Sequence, residues 1–528
     1  MALQLDQGLE ELENNTLKYS IKQKSFALKV ALFATGISGI VAEYILSTLA
    51  SYFIGNAILQ FTLIVSIMLF AMGLGSRFSK LINKNIILYF VVTELVLSLL
   101  VSFSAIISYL IYGFTDISWL VIYILSILIG LLIGLEIPLA TRINNQYEEL
   151  RLNISNILEK DYFGSLIGGL FFAFIGLPYL GLTYTPFILG LLNLTVSFWL
   201  FIVLKDAINK KSQKVLSFVY IITTIIIFCG LFFAEPIVTY GEQAKYKDKI
   251  VYNKQTKYQK IVITKWKKNH SLYINGNQQL STFDEFMYHE PMVHLPMQLS
   301  AENKNILILG GGDGCIAREV FKYNEVEKIT LVDLDKEMIN LGKSHEVFTK
   351  LNKNAMNNPK LKTITQDAFT FLEKTKETYD VIFIDLPDPN NVDLNKLYSK
   401  EFYRLCKNRL AQKGILITQS GSPYYATKAF YCIQKTLKAA NFETMPIHNQ
   451  VLTLGEWGWT IASNNEITKE QLENINFSNL KLKWLTKNAI NQITSFGKPL
   501  VDTTGIEVNT IFSPKLYTYY KKGNWDLY

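Results

Sequence analysis

The chain has 528 residues, of which 49% are hydrophobic, and a formal net charge of +8. This length allows several domains, and the composition changes sharply near Glu235, where the strongly apolar first half ends. The basic residues do not form a patch interleaved with aromatic residues, which argues against a nucleic-acid partner. The four cysteines show no disulfide framework, which is compatible with a reducing compartment.

A polar segment, residues 1–25, precedes seven apolar runs. The runs cover residues 26–54, 57–74, 86–112, 117–140, 162–182, 186–204 and 215–233. Most are long enough to cross a hydrocarbon core, which needs roughly 20 helical residues. The first run is too long, and its leader too polar and acidic, for a cleaved signal peptide. The sequence therefore predicts an α-helical transmembrane bundle of about seven spans over residues 26–233.

Loop charges orient this predicted bundle. Lysines and arginines follow the second, fourth and sixth runs, and the alternate loops carry almost none. The positive-inside rule then places the N-terminus in the cytoplasm. Seven crossings would place the second half of the chain outside the cell.

Three acids, Glu43, Glu94 and Glu136, lie within the apolar runs. A buried acid is costly in lipid, so each is a candidate for binding a cation on a path across the bundle. Pairing with a neighbouring helix or a water is the alternative interpretation.

In the second half of the chain, a glycine-rich turn follows a predicted β-strand. Residues 305–309 form a short apolar run that suits a buried parallel strand, and Gly310, Gly312 and Gly314 follow it. The G-x-G-x-G spacing departs from the G-x-G-x-x-G of dinucleotide sites and favours a single adenosine. Taken alone, this turn is equally consistent with a strand-to-helix connection that binds no ligand.

Acids follow the next two predicted strands. Asp333 ends the second strand, where a carboxylate can accept hydrogen bonds from both ribose hydroxyls. Asp335 is better placed to cap the following helix. Asp367 and Ala368 end the third strand, where the carboxylate can accept from an adenine amino group. Capping of a loop is the alternative role of Asp367.

A pair of acids, Asp385 and Asp388, follows the fourth predicted strand in a loop stiffened by Pro387 and Pro389. Two carboxylates this close repel unless a cation lies between them, so the pair suits a substrate amine or a base that deprotonates one. A metal site is the rival role, and the sequence shows no His or Cys cluster nearby to support it.

Asp313, inside the glycine turn, bears on which ligand the turn accepts. A methyltransferase of this fold must accept the carboxylate of S-adenosylmethionine near the turn. The Asp313 carboxylate would repel that group and attract an ammonium. The residue therefore favours the decarboxylated form of this donor, which retains only the amine.

Residues 258–463 resemble the spermidine synthases, the polyamine aminopropyltransferases, and the N-terminal half is similar to the membrane extension of some bacterial members. The matching motifs are Tyr258-Gln259, DEFMYHE from Asp284, GGGDG from Gly310, Arg318-Glu319-Val320, NPKL from Asn358, Asp367-Ala368, the Asp385/Asp388 pair and LYSKEFY from Leu397. The resemblance implies a Rossmann-like, class I methyltransferase-type α/β domain over residues 301–465, preceded by a linker and small β-rich part over residues 234–300.

The resemblance also implies a role for each site residue. Asp385 becomes the catalytic acid-base residue. The residues expected to hold the nucleoside are Gln259, Gly310, Gly312, Asp333, Asp367 and Ala368. Those expected to face the amines are Tyr288, His289, Asp313 and Asp388, and the Trp457 ring suits a polymethylene chain with ammonium ends. Trp459 is better explained as core packing.

The implied reaction transfers an aminopropyl group from decarboxylated S-adenosylmethionine to a diamine such as putrescine, with no metal. A polyamine transporter or sensor with a binding-only soluble domain, and a methyltransferase, are the alternatives. A homodimer is compatible with the family. The donor is made in the cytosol, which favours a cytoplasmic catalytic domain on the cell membrane and conflicts with the loop charges. Residues 466–528 form a tail, expected to pack on the sheet or lie near the membrane, in which no site residue is predicted.

Overall fold

The computed structural model describes residues 19–54, 57–115, 117–499 and 502–525. Most of the polar segment predicted at residues 1–25 therefore lies outside the described residues. The chain divides into two compact units, Met1–Lys247 and Asp248–Tyr528. We call them the helical unit and, after the activity expected from the resemblance, the catalytic unit. The helical unit continues past the composition change near Glu235, because its last helix ends at Lys245.

Long helices make up the helical unit. They are α1 (Ile21–Ile54), α2 (Ala57–Ser79), α3 (Ile86–Phe114), α4 (Ser118–Asn144), α5 (Leu150–Phe171), α6 (Gly181–Leu204) and α7 (Lys210–Lys245). A π-helical run, Phe172–Leu180, connects α5 to α6, and a 3-10 turn, Lys205–Ala207, follows α6. Counted by length and apolar composition, and with the 58-residue run Leu150–Ala207 taken as one helix, six helices in the described residues could cross a membrane.

That 58-residue run folds back on itself. Gly181 has φ of 65°, a left-handed value that glycine adopts at no steric cost. The Thr185 hydroxyl donates to the carbonyl of Gly176 at 3.0 Å, although a straight helix would separate these residues by about 13 Å. α5 and α6 therefore form a helical hairpin, and the unit contains seven helical segments. The seven membrane crossings themselves stay a prediction.

Two of the three acids in the apolar runs are fully buried between helices. Glu94 and Glu136 have no solvent exposure, and Glu94 accepts a hydrogen bond from Thr35 of α1 at 3.2 Å. Neither carboxylate oxygen of Glu136 has a hydrogen-bond partner among the described residues. Glu94 is therefore paired with a neighbouring helix, which was the alternative interpretation. Glu43 is half-buried.

The catalytic unit begins with a small antiparallel sheet and continues into a larger mixed one. The small sheet contains β1 (Lys249–Gln255), β2 (Lys260–Trp266), β3 (Asn269–Ile274) and β4 (Asn277–Ser281) in that order. The strands of the large sheet are β5 (Asn305–Gly310), β6 (Lys328–Asp333), β7 (Leu361–Thr365), β8 (Tyr379–Asp385), β9 (Leu410–Gly421), β10 (Glu443–Val451) and β11 (Gly455–Ser463). Its spatial order is β10-β11-β9-β8-β5-β6-β7.

Helices cover the large sheet and continue into the tail. They are α8 (Phe286–Leu299), α9 (Cys315–Val320), α10 (Lys336–Ser344), α11 (Glu346–Leu351), α12 (Ala368–Lys374), α13 (Val392–Asn395), α14 (Lys400–Arg409), α15 (Thr427–Ala439), α16 (Lys469–Glu473), α17 (Lys487–Ile493) and α18 (Lys515–Lys521). Short 3-10 turns lie at Ala355–Asn357 and Lys396–Tyr398.

The central strand β5 is buried on both faces. Ile306 and Ile308 belong to the hydrophobic core on one side of the sheet, whereas Leu307 and Leu309 belong to the core on the other. Such continuous apolar strands are typical of parallel sheets with helices on both faces. The strand order changes direction at β5, which pairs in parallel with both β6 and β8. Ligands of open α/β sheets bind at the carboxyl ends of strands at such a point.

The tail packs on the catalytic unit. The Glu290 carboxylate in α8 accepts hydrogen bonds from the backbone amides of Lys483, Trp484 and Leu485 at 2.6 to 2.9 Å. Leu485 is buried in the same hydrophobic core as β5. This arrangement agrees with the predicted packing of the tail on the sheet.

Candidate active site

A cavity of about 420 Å³ opens at the carboxyl ends of β5, β6 and β8. The predicted site residues that line it are Gln259, Tyr288, His289, Gly310, Gly312, Asp313, Asp333, Asp367, Ala368, Asp385, Asp388 and Trp457. The structure thus brings all of the predicted site residues together, although their distances in sequence reach almost 200 positions. Their individual roles toward ligands stay predictions.

The glycine turn brings its backbone against two of the acids. Gly310 pairs with Asp385 across β5 and β8, and a Cβ atom at Gly310 would lie 2.0 Å from the Asp385 carbonyl oxygen. A Cβ atom at Gly312 would lie 2.7 Å from a carboxylate oxygen of Asp333. Gly310 also has φ of 83°, which side chains rarely adopt. Only glycine therefore leaves the cavity floor open at these two positions.

Asp333, the acid predicted to hold the ribose, ends β6 at the cavity wall. Its Oδ1 accepts from the backbone amide of Asp335 at 2.9 Å, and burial raises the pKa of Asp333 to about 7. Asp335 caps α10 by accepting from the Glu337 amide at 3.0 Å, which confirms its predicted capping role. Asp335 also accepts from the Thr256 hydroxyl at 2.7 Å, and this contact ties the Gln259 turn to the large sheet.

Asp367 has the capping role that was its alternative interpretation. Its Oδ1 accepts from the amide and the hydroxyl of Thr370, both at 3.0 Å, at the start of α12. Its Oδ2 lies 2.9 Å from the Lys396 ammonium. Burial acts to raise the pKa of Asp367, but Lys396 and Thr370 lower it overall. Capping and cavity lining coexist here, because Asp367 and Ala368 both lie on the cavity wall.

Asp313 places a carboxylate at the start of α9. Its Oδ1 accepts from the Cys315 amide at 2.7 Å, and its backbone carbonyl accepts from the Asn352 side chain at 2.8 Å. These contacts hold the carboxylate in the cavity wall near Asp385. The negative charge expected to discriminate between donors is therefore held in place by its own turn.

Asp385 is the central acid of the cavity. Its Oδ1 accepts from the Tyr288 hydroxyl at 2.7 Å. Burial, and then the neighbouring Asp313 carboxylate, raise the pKa of Asp385 to about 6. At neutral pH this carboxylate is ionised, yet it holds a proton more readily than an exposed aspartate. A group with this pKa suits a general base that must receive a proton and later release it.

His289 lies beside Asp385, and Glu285 holds its ring in place. Its Nδ1 lies 2.8 Å from the Glu285 carbonyl oxygen and 2.9 Å from Glu285 Oε2. Arg318 donates to both Glu285 oxygens, at 2.9 and 2.8 Å. Burial acts to raise the pKa of Glu285, but His289 and Arg318 lower it to about 2. The pKa of His289 is raised, because Glu285 outweighs the opposing effect of burial.

Asp388 is held by two neutral donors. Gln419 donates to its Oδ1 at 3.2 Å, and the Tyr520 hydroxyl donates to its Oδ2 at 2.9 Å. Tyr398 supports the loop by donating to the carbonyls of Leu386 and Pro387. Burial raises the pKa of Asp388 to about 6, although Tyr520 and Gln419 act to lower it.

The sequence predicted no site residue in the tail, and the structure adds a contact from there: Tyr520 of α18 donates to Asp388, although it does not line the cavity itself. No local pattern marked this residue, since 132 positions separate it from Asp388. Gln419, at the end of β9, and Glu285 and Arg318, within the recognised motifs, were also not singled out as site residues.

The two tryptophans of β11 differ as expected. Trp459 is fully buried, and its ring meets the Tyr288 ring edge to face at 5.0 Å between centroids, which confirms its packing role. Trp457 is 8% exposed and lines the cavity. Its ring is therefore available to an apolar chain in the cavity.

The fold brings a histidine to the acid pair that no spacing in the sequence indicated. The sequence showed no His near the acid pair, but the fold brings His289 to Asp313 and Asp385, with ligand atoms all within 4.8 Å of one another. His289 Nδ1 is engaged by Glu285, and the raised pKa of His289 favours a protonated ring that cannot bind a metal through its other nitrogen. The expectation of a metal-free site stays a prediction on these grounds.

The charge of the cavity wall selects for cations. Seven aspartates line it: Asp313, Asp333, Asp335, Asp367, Asp385, Asp388 and Asp393. Against them the lining contains one lysine, Lys257, and one histidine, His289. Such an excess of negative charge in a concave site raises the local concentration of positively charged ligands.

Comparison with known proteins agrees with this chemistry. Residues 285–475 match the spermine/spermidine synthase domain. The chain is 45% identical to polyamine aminopropyltransferase 2 of Aquifex aeolicus, over 94% of this chain and 99% of that protein. It is 36% identical to the polyamine aminopropyltransferase of Leptospira interrogans, over 94% of this chain and 98% of that protein.

Among solved structures, the chain is similar to a spermidine synthase in complex with the transition-state analogue AdoDATO. The two are 26% identical, with a TM-score of 0.43 over 47% of this chain and 86% of that chain. The relatives that match along almost their whole length confirm the predicted transferase class and the family resemblance. The chain belongs to the family of polyamine aminopropyltransferases, which carry a spermine/spermidine synthase domain.

Proposed function

We propose that the catalytic unit transfers an aminopropyl group from decarboxylated S-adenosylmethionine to a diamine such as putrescine, with release of methylthioadenosine. The observation that supports this most directly is the placement of Asp385 and Asp388 in one acidic cavity beside a glycine turn that contains Asp313. The donor supplies a sulfonium next to a reactive methylene. Both substrates are cations, which suits a wall with seven aspartates.

The nucleoside end of the donor fits the wall formed by Gln259, Asp333 and Asp367. Ala368 and the glycine turn present backbone there, because a side chain at Gly310 or Gly312 would collide with the floor. The donor's ammonium would lie near Asp313. A carboxylate on the same carbon would meet the Asp313 charge at close range, and this repulsion excludes the ordinary methyl donor.

Asp385 acts as the base. An ammonium has no lone pair, so Asp385 must remove a proton from the attacking nitrogen, while Asp388 holds the far ammonium of the diamine. The freed nitrogen then forms a C–N bond to the methylene as the C–S bond breaks. The bonding pair goes to sulfur, and the sulfonium becomes a neutral thioether. Positioning and proton transfer provide the rate enhancement.

Tyr288 and His289 complete the reaction centre. Tyr288 donates to one oxygen of Asp385, which fixes the carboxylate and leaves the other oxygen for the amine. The Glu285–Arg318 pair holds the His289 ring. A cationic His289 stabilises the ionised form of Asp385 before it receives the proton.

Turnover by the purified full-length protein tests this proposal. Methylthioadenosine should accumulate only when decarboxylated S-adenosylmethionine and a diamine are both present, and a panel of diamines of increasing length should rank the acceptors. Tight binding of both substrates without methylthioadenosine release would instead support the binding-only transporter or sensor. Methyl transfer from S-adenosylmethionine would support a methyltransferase.

We also propose that the helical unit lies in the cell membrane and that the catalytic unit faces the cytoplasm, where its donor is made. The apolar composition of six long helices supports the first part. Loop charges with seven crossings predict the opposite side for the catalytic unit.

Two cysteine reporters can decide between these sides. Lys211→Cys precedes most of α7 and Lys268→Cys lies in the catalytic unit, and both native side chains are exposed. A membrane-impermeant maleimide is applied to intact cells that carry each reporter in a Cys229→Ser background. It should label neither reporter if positions 211 and 268 both face the cytoplasm. Labelling of Lys268→Cys alone would contradict a cytoplasmic catalytic unit and support seven crossings.

A further inference from the structure

The tail contacts the acceptor end of the cavity through the hydroxyl of Tyr520. Tyr520 on α18 donates to Asp388 Oδ2 at 2.9 Å. It lies beyond residue 475, where the match to the spermine/spermidine synthase domain ends. The acid assigned to the far ammonium is therefore held partly by a segment outside the recognised domain.

The two contacts of Asp388 are neutral. Gln419 donates to one oxygen and Tyr520 to the other, and neither brings a positive charge. An ion pair with a lysine or arginine would have compensated the carboxylate and competed with a substrate ammonium. Neutral donors orient the carboxylate, favour its ionised form and leave its charge for the substrate.

Tyr520 is held in position independently of Asp388. Asn509, which is fully buried, accepts from the Leu516 amide at 3.1 Å and donates to the Tyr398 carbonyl at 3.0 Å. The Trp525 indole donates to the Tyr520 carbonyl at 2.7 Å. The tail is thereby attached both to the 3-10 turn that supports the Asp388 loop and to the backbone of Tyr520 itself.

We propose that Tyr520 is a positioning residue for acceptor recognition: it orients the Asp388 carboxylate toward the far ammonium of a diamine. The inference rests on the proposed aminopropyl transfer and adds to it a tail residue that determines acceptor affinity. Tyr520 does not touch the reacting nitrogen in this account, so its effect belongs to diamine binding and leaves the chemical step unchanged.

Tyr520→Phe removes the hydroxyl and keeps the ring, and Tyr517→Phe is a matched control. Tyr517 lies on the same helix, and its buried hydroxyl has no hydrogen-bond partner among the described residues. The KM for the diamine should rise about tenfold in Tyr520→Phe, as expected for loss of a hydrogen bond to a charged group. The kcat and the donor KM should stay within about twofold of the wild-type values.

Two further readouts separate positioning from a general structural effect. The acidic limb of kcat/KM for the diamine should move to higher pH in Tyr520→Phe, because Asp388 loses a donor that favours its ionised form. With a monoamine acceptor, which has no far ammonium, Tyr520→Phe should match the wild type. Tyr517→Phe should behave as wild type in every assay.

An unchanged diamine KM and an unchanged acidic limb in Tyr520→Phe would overturn the inference. An equal loss with monoamine and diamine would also overturn it, because the effect would then not depend on the far ammonium. Wild-type protein that releases no methylthioadenosine with any diamine would refute the proposed function together with the inference. Wild-type turnover with an unaffected Tyr520→Phe variant refutes the inference alone.

Discussion

Asp385→Asn should lower the activity and raise the stability of the protein. The substitution retains an oxygen that can accept from Tyr288, whose hydroxyl lies 2.7 Å from Asp385 Oδ1, so the local hydrogen bond survives. The amide cannot take a proton from the attacking amine. A positioned general base contributes about 10² to 10⁴ in rate, so kcat should fall by that factor, or about 3 to 5 kcal/mol in activation free energy.

The free energy of unfolding should rise in the same variant. Burial and Asp313 raise the pKa of Asp385 to about 6 in the folded protein, above its value in an unfolded chain. The folded state therefore binds the proton more tightly, and stability falls as the pH rises through the window up to about 6. For a fully buried carboxyl group, this pKa shift corresponds to about 3 kcal/mol of unfolding free energy. Partial solvent access reduces the gain expected in Asp385→Asn to about 1 to 2 kcal/mol.

The assay pairs methylthioadenosine release with thermal unfolding at pH 7.5 and at acidic pH. Asp393→Asn is the control, because Asp393 is an exposed acid on the same cavity wall. This substitution should change neither kcat nor the free energy of unfolding appreciably. Wild-type activity should rise with pH through about 6, as Asp385 and Asp388 lose their protons. Retention of more than about a tenth of wild-type kcat by Asp385→Asn would refute its role as the base.

Three further variants test separate parts of the account. Glu290→Gln should lower the free energy of unfolding by about 2 to 4 kcal/mol in a denaturation assay, because the carboxylate accepts three tail amides; an unchanged midpoint would contradict this. Gly310→Ala should reduce turnover about 100-fold, because its Cβ would lie 2.0 Å from the Asp385 carbonyl. Gly505→Ala, with positive φ but no atom within 4 Å, is its control and should keep full turnover. Asp313→Asn should strengthen inhibition by S-adenosylmethionine at least about tenfold, and an unchanged inhibition constant would contradict charge-based donor selection.

Features that depend on local composition could be predicted from the sequence. The strand β5 begins at residue 305 as predicted and ends one residue later, at Gly310, and β6 ends at Asp333 as predicted. The strand β8 includes Asp385 as its last residue. These strands could be recognised because buried parallel strands are continuous apolar runs bounded by glycine or acid. The glycine turn and the acids that follow each strand meet at one edge, because parallel strands share their carboxyl ends.

Features that depend on long-range contacts could not be predicted in this way. The Tyr520 contact with Asp388 depends on how a distant tail folds back, and no spacing within α18 indicates it. The ion pair between Lys396 and Asp367 and the approach of His289 to Asp313 likewise depend on tertiary packing.

In the proposed reaction, one cavity joins a decarboxylated donor to a diamine, with Asp385 as the base. The most direct measurement is the product stoichiometry of the purified protein with decarboxylated S-adenosylmethionine and putrescine. One aminopropylated amine should form for each methylthioadenosine released, and no product should form when S-adenosylmethionine replaces the decarboxylated donor. Methylthioadenosine formed without an aminopropylated amine, or a methylated product from S-adenosylmethionine, would contradict the proposed reaction.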